Sequence, residues 1–188
     1  LNTDRPVFIF FAEDVFTLKG KQPTKQDAYT TNLLISLLMR FPEVMTINYD
    51  VPQDCVKFTF MLDGSVEKTE FIRFKTLLRD SLAAYQDLTG EDFVMKAKLV
   101  RSGKLTLLEL SGCTTTLSLE SIQLVTGIVD SVFDDILFRD AETLDAVQDD
   151  ELMRQEEIIE YLLSHSTGSK QESLIAFREA GKVYVYDK

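Results

Sequence analysis

Hydrophobic positions along the chain change period several times, and each change predicts an element. Residues 7–11, Val-Phe-Ile-Phe-Phe, form a β-rich run, followed after Glu13-Asp14 by Val15 to Leu18 and the punctuation Lys19-Gly20-Lys21-Gln22-Pro23. This reads as one strand or a short hairpin. From Asp27 to Phe41, Leu33, Leu34, Leu37, Leu38 and Phe41 recur at helical spacing and Pro42 ends the run, which predicts a first helix. Val44 to Tyr49 and Val56 to Leu62 read as strands around a loop that Pro52 bars from pairing. Asp63-Gly64 suits a two-residue turn with positive φ at both central residues, so a third strand over Ser65 to Thr69 is expected. Phe71, Phe74, Leu78, Leu82 and Tyr85 then give an apolar helical stripe closed by Thr89-Gly90.

The second half repeats the alternation. Phe93 to Arg101 and Lys104 to Leu110 read as strands joined by Ser102-Gly103. A recurrence of the pair at Ser111-Gly112 predicts a further strand, Cys113 to Leu117, and hence a meander. The first turn would pair Lys96 with Glu109 on a wet face, and Met95 with Leu110 and Ala97 with Leu108 on a dry one. Ser118 is an N-cap for a third helix reaching about Phe138, with Ile122, Val125, Val129, Val132, Phe133 and Ile136 inward and Asp130, Asp134 and Asp135 outward. Asp140 to Ser164 continues as helix with an interrupted stripe of Leu144, Val147, Leu152, Ile159 and Leu163. A linker over Ser164 to Ser169 leads to a hairpin, Ser173 to Glu179 and Lys182 to Tyr186, turning at Ala180-Gly181 and pairing Phe177 with Tyr184 and Ile175 with Tyr186. Phe8, Phe10 and Phe11 are expected to pack with Tyr184 and Tyr186 in the core between the two terminal hairpins.

The elements add up to an α+β fold: an antiparallel sheet with helices packed on it, an acidic helical appendage and a C-terminal β-hairpin. At 188 residues and 21.4 kDa one domain is expected. It comprises an N-terminal strand or hairpin (1–22), an α+β core (23–139), the acidic helix and linker (140–168) and the last hairpin (169–188).

Charge sharpens this picture. Between Asp130 and Glu160 twelve acidic residues face two basic ones, Arg139 and Arg154, a net −10 of the chain's −11. A dense acidic arm disfavours nucleic acid and membrane surfaces as partners and suits a protein with a basic surface. No apolar run approaches the length of a membrane span, and no secretory signal is read at the start. A first residue of Leu1 leaves room for sequence upstream. Cys55 and Cys113, far apart in sequence, suggest neither a zinc site nor a disulfide framework, and a reducing cytoplasm is expected.

Few residues point to chemistry. Glu156, Glu157 and Glu160 have the EExxE spacing with which one helix face can offer carboxylates to Mg²⁺, and Asp134 on the preceding helix could join them. That would make a Mg²⁺-dependent phosphate-ester or nucleotide hydrolase, and it resembles the first half of the motif of MazG-type pyrophosphohydrolases without the second acidic pair. A solvated helix face is the plainer expectation. Cys113, close to the start of the third helix, is a candidate reactive thiol, although a turn thiol is the plainer reading and the one histidine, His165, lies in the linker. Lys96, Lys98, Arg101 and Lys104, with Arg73, Lys75 and Arg79 on the preceding helix, form a basic cluster able to meet phosphate or the acidic arm. No cofactor is expected.

The order helix, three strands, helix, two or three strands, helix, with a β-hairpin leading through Thr115-x-Leu117-Ser118-x-Glu120-Ser121 into a long apolar helix, resembles the α+β fold of type III secretion chaperones and YbjN-type proteins. If Ser65 to Thr69 is helical and Cys113 to Leu117 a strand, the order resembles the roadblock/longin architecture instead. Either resemblance implies a non-catalytic, dimeric module that holds a partner, so a cytoplasmic protein-binding or regulatory homodimer is expected.

Overall fold

The computed structural model describes residues 7–10, 15–17, 25–140, 149–165 and 173–187. Within these residues eight strands make one antiparallel sheet: β1 (Val7–Phe10), β2 (Val15–Thr17), β3 (Val44–Asp50), β4 (Cys55–Asp63), β5 (Lys96–Ser102), β6 (Leu105–Gly112), β7 (Ser173–Glu179) and β8 (Lys182–Asp187), in the order β2-β1-β8-β7-β3-β4-β6-β5. Among the described residues four helices, α1 (Lys25–Arg40), α2 (Lys68–Thr89), α3 (Leu119–Phe133) and α4 (Asp149–His165), complete an α+β fold in which helices pack on the sheet. None of the described helices is long and apolar enough to cross a membrane.

The two faces of the sheet differ because strand side chains alternate. Along one register row Leu110, Phe58, Ile47, Ala176 and Val185 follow one another from β6 to β8, all buried. The next row on the opposite face runs Lys98, Glu109, Thr59, Thr46, Phe177, Tyr184. On the buried face the core is closed by Leu33, Leu34, Leu37 and Leu38 of α1, Phe74, Leu78 and Leu82 of α2, and Ile122, Val125, Val129 and Phe133 of α3. α4 lies along α1 and touches α3, burying Ile159 and Leu162.

Local chemistry explains where elements stop. α2 ends where Gly90, at φ 75°, turns left-handed and donates its N–H to Gln86 O at 2.8 Å. α3 begins at a reciprocal cap: Ser121 N donates to Ser118 Oγ at 3.2 Å and Ser118 N to Ser121 Oγ at 3.0 Å. It ends at Phe133 rather than near Phe138. The last three residues of β4 run past the end of β3, and the following chain takes the vacant edge through Asp63 N to Ile136 O at 2.8 Å and Phe138 N to Met61 O at 2.9 Å.

Several expectations need correction. Ser65 to Thr69 is no strand: only Gly64 of the Asp63-Gly64 pair takes positive φ, and α2 begins at Lys68. Cys113 to Leu117 is no strand either, because β6 runs through Ser111-Gly112 without turning. Glycine is required at 112 for proximity, since a Cβ there would lie 2.9 Å from both Met95 Sδ and Val94 O. From α1 to α3 the order is therefore helix, two strands, helix, two strands, helix, at least one strand short of either expected order.

The β5–β6 turn is Gly103-Lys104, with positive φ at Gly103 alone, so Lys98 rather than Lys96 faces Glu109 and Ala97 faces Leu110. A slip of two residues preserves both faces. The last hairpin has the expected register, with Ala180 and Gly181 both at positive φ. Its aromatics, however, avoid the core: Val183 and Val185 point inward, while Phe177 stacks on Tyr184 at 5.3 Å and on Tyr186 at 5.6 Å on the other face. The register places Phe8 and Phe10 opposite Val185 and Val183, not opposite the tyrosines. Phe11, Leu144 and Val147, and residues 166–169 of the expected linker, lie outside the described residues, while Ser164 and His165 belong to α4.

Candidate functional site

The acidic residues of α4 and α3 have separate partners. Arg40 Nη2 reaches Glu156 Oε1 at 2.6 Å and its Nε donates to the same oxygen at 2.8 Å, while Gln123 Nε2 donates to it at 3.1 Å. Glu156 thereby docks the described part of the arm onto α1 and α3. Asp134 pairs with Arg139 at 2.6 Å, together with Asp130. Glu157 lines a groove between α1 and α4, beside Asn32 and Tyr161, and Glu160 is exposed. Among the described residues no three His, Cys, Asp or Glu side chains come close enough to hold a metal ion.

Where α1 ends beside α3, Arg40, Glu43, Gln123 and Asp130 line a polar cleft of about 340 Å³. Within the electrostatic reach of Glu43, Arg178, 5% exposed, pairs with Asp140 at 3.3 Å. Burial pushes the Glu43 carboxyl above its ordinary value of 4.5, and the charge of Asp130 adds to this, against the pull of its own backbone N–H and of Arg139 and Arg40. Burial lowers the Arg178 guanidinium, against the pull of Asp140 and Glu43. A raised carboxyl means that the folded chain keeps the Glu43 proton to higher pH than the unfolded chain does. Its stabilising contribution is complete below the ordinary value and is lost as pH rises through the raised one. Glu43→Gln, which fixes the neutral form, is expected to melt higher than the parent at about pH 7 and to lose that advantage toward about pH 4. Thermal melts of both chains across this range check it, and a variant less stable at neutral pH would refute the assignment.

Cys113 is exposed, immediately after β6, and Cys55 is half-buried at the start of β4. Cys113 lies outside the first turn of α3, which begins at Leu119. The His165 ring stacks on Tyr161 at 4.1 Å, and its Nδ1 lies 2.8 Å from Tyr161 O and 2.9 Å from Ser164 Oγ.

The basic cluster gains a shape that its spacing did not reveal. α2 lies beside β5, and between them is a groove of about 450 Å³ with Leu78, Leu82 and Met95 in its floor and Lys75, Arg79 and Lys96 at its rim. No lining residue is acidic. Val94, in the same groove, is 58% exposed. β5 is the last strand of the sheet, and among the described residues its outer edge pairs with no strand. Lys96 and Lys98 lie on the face away from Ala97 and Leu99, and both are exposed. An unpaired strand edge, an apolar floor and a cationic rim together can accept an added strand. Comparison with family profiles, curated proteins and solved structures finds no match.

Proposed function

We propose that the chain is a non-catalytic protein-binding module, chaperone- or adaptor-like, that takes an extended acidic and apolar segment of a partner along β5. The observation that carries this reading is the groove of Lys75, Arg79 and Lys96 beside an open strand edge. A strand added there alternates its side chains as β5 does. One set would lie over Leu78, Leu82 and Ala97 and is best apolar; the other would lie beside Lys96 and Lys98 and is best Asp or Glu. The same lysines discourage two copies from joining edge to edge, because like charges would be brought opposite one another. The charge expected of the partner thus reverses at this surface, since part of the acidic arm is already engaged by Arg40 and Arg139. A Mg²⁺-dependent hydrolase on the acidic helix draws no comparable support, because Glu156 and Asp134 are held on different arginines.

A labelled synthetic peptide alternating leucine and glutamate is expected to bind, and Lys96→Glu with Lys98→Glu to weaken it by roughly tenfold or more. A peptide of the same composition with its leucines and glutamates in separate blocks should bind poorly. Equal binding of the two peptides, or indifference to the lysine reversal, would overturn strand addition. Light scattering on the same samples tests the homodimer that we also propose, which is supported by the aromatic face of β7 and β8. Twice the 21.4 kDa chain mass is expected, and a monomer at every concentration would remove it.

A further inference from the structure

β4 and β6 pair with Phe58 opposite Leu110, Lys57 opposite Ser111 and Val56 opposite Gly112. One step beyond, in the same register, come Cys55, the first residue of β4, and Cys113, the residue after β6. One step further the chains are joined again. Thr114 Oγ1 donates to Asp54 Oδ1 at 2.7 Å, and Thr115 donates to the same carboxylate through its N–H and its hydroxyl, each at 3.0 Å. The two cysteines are therefore bracketed by a backbone pair on one side and a side-chain clamp on the other. Cys55 falls on the face of Lys57, away from buried Val56, and Cys113 follows β6 two residues after Ser111, which faces Lys57. The end of β6 is fixed from its other side as well, by the close approach of Gly112 to Val94 and Met95.

Residues directly opposed on antiparallel strands have Cα atoms about 4.5–5.5 Å apart. That lies within the range of about 4.4–6.8 Å that a disulfide spans. We infer that Cys55 and Cys113 are a cross-strand dithiol that exchanges with a low-molecular-mass disulfide and closes reversibly into an intramolecular disulfide. The exposed Cys113 thiolate attacks one sulfur of the small disulfide, forming a mixed disulfide and releasing one small thiolate. The Cys55 thiolate then attacks Cys113 Sγ, forming the Cys55–Cys113 bond and releasing the second. The two protein thiols give up two electrons to the small disulfide, and their two protons pass through solvent to the two released thiolates, so a small disulfide becomes two small thiols. Sequence separation concealed this pair, and the sheet register brings it together.

The test is equilibration of the native chain with oxidised and reduced glutathione, followed by intact-mass and peptide analysis. The expected product is a single chain lighter by two hydrogens, with Cys55 linked to Cys113 and no covalent link between chains. Cys55→Ser should stop at the Cys113 mixed disulfide, which shows that Cys113 can make the first attack and that Cys55 is needed to resolve it. In denaturing urea the closing constant is expected to fall by roughly tenfold or more, because only the fold holds the thiols opposite each other. Glutathione retained on Cys113 of the unmutated native chain, disulfides between two chains, or closure equally favourable in urea would each overturn the inference.

Discussion

Asp140→Ala is expected to destabilise the fold by about 3–5 kcal/mol, because it breaks a buried ion pair from one side and removes the carboxylate that meets Arg178. The Arg178 side chain is 2% exposed and that of Asp140 13%, and they meet at 3.3 Å. Burial disfavours the charged guanidinium, and Asp140 pulls against this more strongly than Glu43 does. Asp140 also ties the chain after α3 to the end of α1, through its N–H to Pro42 O at 3.2 Å, a bond that the substitution leaves intact. The loss should therefore be electrostatic. Pairing Asp140→Asn with Arg178→Met, which removes both charges and keeps the volume, is expected to recover most of it. Urea midpoints at unchanged slope give the comparison, and a cost below about 1 kcal/mol for the single substitution would show that the ion pair is not what neutralises Arg178.

Phe133→Ala is expected to cost about 3–5 kcal/mol as a cavity opens between α2 and α3. The Phe133 ring is 1% exposed and sits 5.1 Å from that of Phe74, tilted by 49°. Two buried rings in that geometry contribute about 0.5–1.5 kcal/mol beyond the area they cover. The double substitution with Phe74→Ala should consequently cost less than the sum of the single ones by about that amount. Strict additivity would mean that the rings are packed independently.

Local pattern made most elements legible. Leu33 to Phe41, the Ser118 cap and the Ala180-Gly181 turn each carry their instruction within a few residues, and the structure follows them. Failures occurred where a local signal admitted two outcomes. Asp63-Gly64 permits a hairpin turn, but equally a loop into a helix, and only the partners waiting for β4 decide. Ser102-Gly103 located the turn to within one residue, which moved the register by two and left every face intact.

The inward face of the last hairpin was harder. In Ile175-Ala176-Phe177-Arg178 the larger apolar residues occupy the alternate set, so pattern alone turns Phe177 inward. The structure instead buries Ala176 and Arg178, because helix α1 lies close over β7 and β8 and a carboxylate, Asp140, is there to meet the arginine. The candidate site behaves the same way. Lys75, Arg79 and Lys96 were visible as charges, but their groove exists only because α2 folds back beside β5, and only the register of β4 with β6 brings Cys55 and Cys113 to the same end of two paired strands.

The insertion of β7 and β8 between β1 and β3 also sets a timetable for synthesis. Strand β3 reaches β7 through pairs such as Thr46 with Phe177, and β1 reaches β8 through pairs such as Phe8 with Val185. The earliest strands leave the ribosome long before their sheet neighbours exist, so the middle of the sheet cannot close until the hairpin that ends at Asp187 has emerged. Until then the exposed edges of β1 and β3 are open to any strand that arrives first. A partly synthesised chain therefore presents, for as long as the last hairpin is missing, the unpaired edges that an aggregating strand would use.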